Sequence, residues 1–117
     1  MLFDEAEMLA SWRQIEAVDY HQEVVLGGGL RFTPYHAGHV LGACMFMIDM
    51  AGLRVLYTGD YSREEDRHLV QAEVPPMRPD VLICESTYGT QSLEPRLDKE
   101  MRLSLIHISE PTRRRGI

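Results

Sequence analysis

The chain has 117 residues, of which 44% are hydrophobic and 26% charged, so it fits one globular domain and not a disordered tail. Its formal net charge of −6 excludes a protein that binds nucleic acid through overall charge alone. An RNA substrate stays open, because metal ions in an active site would bring positive charge that composition does not count.

In chain order, Met8, Leu9, Trp12 and Ile15 form one apolar stripe at helical spacing. Asp4 followed by Glu7 supplies an N-cap and its capping partner, and the pattern predicts a helix over residues 4–17. The period then shortens. Residues 23–26 and 30–35 flank Gly27-Gly28-Gly29 and predict a hairpin. Residues 43–50 suit a buried strand, and Ala51-Gly52 turns the chain into a second strand over 53–58. A third short apolar run, residues 80–85, is entered through Pro75, Pro76 and Pro79. Residues 95–102 predict the first turns of a helix. Cys44 and Cys84 lie inside apolar runs at a spacing that matches no zinc motif, so both are expected to be buried thiols in a reducing compartment. With no secretory leader and no apolar stretch of membrane length, a soluble intracellular protein is expected.

The segment Leu103–Arg113 matches, residue for residue, one reading frame of a common transposase sequencing adapter. Residues 103–117 are therefore expected to be a non-native tail, which removes His107 from the candidate ligands. Residues 1–102 alone hold 9 basic and 17 acidic side chains, a formal charge of −8.

Polar groups fall at the ends of the predicted strands. His39 lies in a glycine-containing loop before one strand, flanked by Gly38 and Gly42, with apolar neighbours expected to exclude water and fix its ring. A loop histidine taken alone is more often a surface or hydrogen-bonded residue than a metal ligand, and His36 lacks comparable support. Asp60 follows Thr58-Gly59 just past the next strand. It is either a turn aspartate or a carboxylate whose two oxygens serve two cations. Glu85 ends the third run, either partly buried with a partner or exposed before an ordinary turn. Asp66-Arg67-His68-Leu69 reads as a charged surface turn.

Three segments together, residues 35–48, 56–68 and 79–89, resemble the metallo-β-lactamase/β-CASP nucleases, and within them the branch that cleaves pre-mRNA for polyadenylation. The resemblance implies an α/β fold, part of a four-layer αββα sandwich truncated at both ends. Residues 1–102 would form a partial metallo-β-lactamase domain reaching the start of the β-CASP region near 85–102. It implies that His39 binds one of two zinc ions and that Asp60 bridges both. Glu85 would support a catalytic histidine far downstream. The family's His-x-His-x-Asp-His motif is absent from the chain, so two ligands alone are present, and the isolated chain is expected to be poorly folded and inactive. By the same resemblance the substrate is pre-mRNA, the partners are other subunits of the cleavage and polyadenylation complex, and the location is the nucleus. An Integrator-type nuclease would share this chemistry. A scaffold paralogue would be free to replace His39, Asp60 and Glu85, all of which are retained here.

Overall fold

The computed structural model describes residues 2–91 and Met101. The chain divides after Glu85 into two compact units. The first begins with helix α1 (Glu5–Trp12), followed by strands β1 (Val24–Gly27), β2 (Leu30–His36), β3 (Cys44–Met50), β4 (Leu53–Tyr57) and β5 (Val81–Ile83). In the second, Ser86–Gly89 form a turn in which the Gly89 amide donates to the Ser86 carbonyl at 3.0 Å.

The strands form one mixed sheet in the order β1-β2-β3-β4-β5. The first three pairings are antiparallel and β4–β5 is parallel. Ala51 and Gly52 both take positive φ, +50° and +92°, which gives the two-residue β3–β4 turn the twist its strands need. Pro34 sits mid-strand and is fully buried. Its carbonyl accepts from the His21 amide at 2.7 Å, beyond the last β1 partner at Phe32. Carbonyl and nitrogen of one strand residue point the same way, so the donor that proline lacks is missing only where no ladder bond is made.

Strand alternation sorts the side chains. Tyr35 pairs with Met45, and Met47 pairs with Thr33 and Leu56. Tyr35, Met45, Met47 and Leu56 are all buried and with Ala37 form the core. Farther along the same face the core gives way to charge, where Asp49 pairs with Arg31 on β2 and Arg54 on β4. Its carboxylate lies 3.3 Å from Arg31 and 3.6 Å from Arg54. Desolvation pushes Asp49 up, but hydrogen bonds from Arg31 and the Gly52 amide, with the charges of both arginines, outweigh it and hold the carboxyl below its ordinary value. On the opposite face Phe32 and Phe46 meet edge to face, 5.7 Å between ring centres.

Three sequence expectations need correction. The helix has the Asp4–Glu7 capping box but stops at Trp12 instead of residue 17. Met8, Leu9, Trp12 and Ile15 are all exposed, and no described element packs on α1. Helices this short draw most of their stability from packing on an apolar face, so an unpacked stripe does not prolong one. The run over residues 80–85 contributes only Val81–Ile83, all exposed at the sheet edge, because no described element covers it. Cys84 is consequently exposed and Cys44 only partly buried, with burial pushing the Cys44 thiol up. The helix expected over 95–102 and the tail after it lie outside the described residues, Met101 excepted.

Candidate metal centre

The site is built where loops leave the C-terminal ends of β2 and β4. After His36 the chain enters Ala37-Gly38-His39-Val40. The Val40 amide donates to the Gly38 carbonyl at 2.7 Å across a single intervening residue, His39, whose φ is +63°. This is the positive-φ form of the γ-turn, a rare and strained arrangement for any side-chain-bearing residue. Such outliers persist where the surroundings over-determine them, and they cluster at functional sites.

The surroundings here are specific. The Ser62 amide donates to the Ala37 carbonyl at 2.8 Å, and the Ala72 amide donates to the Ser62 carbonyl at 2.7 Å. Gly38 is buried with φ +67°, and a Cβ built on it would lie 2.6 Å from the Ser62 carbonyl oxygen. Only glycine fits that approach. The loop containing Asp60 is thereby laid directly over the backbone that leads into His39.

At the end of β4 the Thr58 amide donates to the Ile83 carbonyl at 3.0 Å, extending the parallel pairing to the residue before Gly59-Asp60. Glu85, half-buried, accepts the Tyr61 amide at 3.1 Å and so fixes the backbone next to Asp60. His39 and Asp60 come together at this rim, with His39 Nε2 lying 3.8 Å from Asp60 Oδ2. Metal bonds from imidazole nitrogen and carboxylate oxygen add up to about 4.0–4.3 Å, the widest gap that one ion can bridge. One nitrogen and one oxygen donor at 3.8 Å therefore fit a shared divalent cation as part of its shell. Among the described residues no group of three or more His, Cys, Asp and Glu side chains is placed to hold an ion.

One expectation about this site is overturned. The His39 ring is not shielded from water. Its side chain is 45% exposed, and Val40 and Leu41 point outward at 54% and 90% exposure. The backbone hydrogen bonds of this loop, and not an apolar wall, position the histidine. His36, which had no support in the sequence, is half-buried and stacks on Tyr20 with 3.8 Å between ring centres. Two further residues had no motif to flag them. Glu73 Oε1 accepts the His36 amide at 2.9 Å and lies 2.5 Å from His21 Nε2. The Asp66–Leu69 segment is a surface bend, as its composition suggested.

A sheet whose strand-end loops bring an imidazole and a carboxylate to one rim is what a metal-dependent hydrolase domain requires. The profile of the metallo-beta-lactamase superfamily domain matches residues 1–83, and the chain belongs to that superfamily. The five-stranded mixed sheet and its helix are a portion of that α/β fold.

Among curated proteins the chain is similar to "Endoribonuclease YSH1" of Mycosarcoma maydis, 80% identical over 107 residues, which cover 91% of this chain and 12% of that protein. It is 65% identical to "Endoribonuclease ysh1" of Schizosaccharomyces pombe over 91% of this chain and 14% of that protein. It is 59% identical to "Cleavage and polyadenylation specificity factor 73" of Drosophila melanogaster over 89% of this chain and 15% of that protein. The chain thus spans 12% to 15% of the length of these relatives. Among the described residues no helix is long and apolar enough to cross a membrane.

Proposed function

We propose that the chain is a segment of a zinc-dependent endoribonuclease that cuts pre-mRNA at the polyadenylation site. The observation that supports this best is the approach of His39 Nε2 to Asp60 Oδ2 within 3.8 Å, in a chain 80% identical to a protein named as an endoribonuclease. Bound zinc would make hydroxide available near neutral pH and neutralise charge growing on the phosphoryl oxygens, which suits an acidic chain to an RNA substrate. His39 contributes one neutral nitrogen donor. Asp60 offers two carboxylate oxygens, enough to serve both ions of a pair. Glu85 anchors the Tyr61 amide with one oxygen and orients a histidine supplied by the β-CASP region, which protonates the leaving oxygen. The whole enzyme works in the nucleus with other subunits of the cleavage and polyadenylation complex.

Two ligands do not hold a pair of ions, so the isolated 117-residue chain does not cut RNA. The test is Asp60→Ala in the full-length nuclease carrying this segment. Cleavage should be abolished and bound zinc should fall, because donors to both ions are removed. Unchanged activity in the purified variant would overturn the assignment.

A further inference from the structure

We infer that Glu73 is a positioning residue for the metal centre, holding the strained His39 turn in place through the backbone of His36; this rests on the function proposed above. Glu73 grips His36 at two points. Its own amide donates to the His36 carbonyl at 3.1 Å, and its Oε1 accepts the His36 amide at 2.9 Å. Both backbone groups of His36 are thus satisfied by one residue, at the point where β2 ends and the loop to His39 begins.

The carboxylate is itself held. His21 Nε2 lies 2.5 Å from the same Oε1, while the His21 amide is tied to the Pro34 carbonyl at 2.7 Å. Tyr20 stacks on the His36 ring and donates its hydroxyl to the Ala43 carbonyl at 3.1 Å, closing the far end of the loop that contains His39. The residues before and after the γ-turn are therefore pinned by one cluster that lies outside the candidate ligands His39 and Asp60. A side-chain-bearing residue held at positive φ is strained and persists only where its surroundings fix it. Without its supports the turn relaxes, and His39 Nε2 leaves the position facing Asp60. Groups that orient metal ligands without touching the metal typically alter affinity about 10- to 100-fold when removed.

The experiment uses the full-length nuclease carrying this segment, with zinc affinity measured by chelator competition and the visible spectrum of the cobalt(II) form as the signature of ligand geometry. Glu73→Ala should weaken zinc binding about tenfold or more and alter the cobalt bands. It should also raise the hydrogen-exchange rate of the His36 and Ala37 amides in the metal-free protein. Glu73→Gln retains an acceptor oxygen for the His36 amide and should restore most of the affinity. Zinc binding by Glu73→Ala within threefold of the unsubstituted protein would overturn the inference, as would a Glu73→Gln variant as defective as Glu73→Ala. If Glu73→Ala does not fold, His21→Ala replaces it, since it frees the carboxylate and should reproduce a weaker loss; full affinity there would overturn the inference. Asp60→Ala is measured alongside. Retained zinc in that variant sinks the proposed function itself, whereas zinc lost there but kept in Glu73→Ala sinks only the role of Glu73.

Discussion

The Ser62 amide and the Ala37 carbonyl, 2.8 Å apart, join two loops at equal offsets from the candidate ligands, two residues after Asp60 and two before His39. One hydrogen bond therefore sets the spacing of two side chains that are distant along the chain. The geometry of the site resides in the backbone as much as in the ligands.

Gly38 is the close-packed point of this joint. Gly38→Ala places a side chain in the left-handed region and pushes its Cβ to 2.6 Å from the Ser62 carbonyl oxygen. The loss should exceed the roughly 1–2 kcal/mol of the backbone term alone, because the Ser62 loop must also move. Hydrogen exchange in the full-length protein should show the Ser62 and Ala72 amides losing protection. Unaltered protection at both would mean that the approach is less tight than the structure shows.

Glu85→Gln should leave the Tyr61 amide its acceptor and therefore keep Asp60 in place. Metal content should be nearly unchanged, while the chemical step slows by about 100-fold or more if the carboxylate orients the proton donor. Single-turnover cleavage and metal analysis on the same preparation separate the two effects. Loss of zinc would assign Glu85 to the metal shell instead.

Asp49 provides a pH-dependent stabilisation away from the site. Its folded pKa lies below its ordinary value, so the stabilisation is present above the unfolded pKa of about 3.9 and is lost as pH falls through the lower folded value. Asp49→Asn should reduce the exchange protection of the β2, β3 and β4 amides near Arg31 and Arg54 at neutral pH. The difference from the unsubstituted protein should disappear at a pH below the folded pKa. A difference that persists there would show that packing, not charge, is responsible.

The isolated 117-residue chain should be only marginally folded. Among the described residues the buried hydrophobic core is Tyr35, Ala37, Met45, Met47 and Leu56, while Leu53, Tyr57 and all of β5 are exposed. A core of this size rarely supplies more than about 3–5 kcal/mol. Thermal unfolding should be broad, and a dye specific for exposed apolar surface should bind before the transition. A sharp, cooperative transition without dye binding would contradict this.

Much of the sheet was legible in the sequence. The strands predicted over 43–50 and 53–58 are found at Cys44–Met50 and Leu53–Tyr57, because period-two patterning and the Ala51-Gly52 turn are local signals. The Asp4–Glu7 capping box is local as well. The juxtaposition of His39 and Asp60 followed from a family resemblance and not from spacing. The His21–Glu73 contact spans 52 positions and belongs to no motif, so nothing short of the folded chain shows it. The exposure of Val81–Ile83 was hidden for a different reason. An apolar run marks a strand that can be covered, but whether a layer lies over it depends on elements distant in sequence.

The parallel pairing of β4 with β5 has a kinetic consequence. Strands β1 to β4 form by short hairpin closures, whereas β5 pairs only after the excursion from Thr58 to Asp80 has been closed. Closing a long loop has an entropic cost before any contact rewards it, so non-local pairings form slowly. That excursion contains Asp60, Ser62 and Glu73, and it returns to the end of β2 before reaching β5. The antiparallel ribbon should therefore be in place while the rim that carries His39 and Asp60 is still unassembled, and that rim is completed in the last stage of folding.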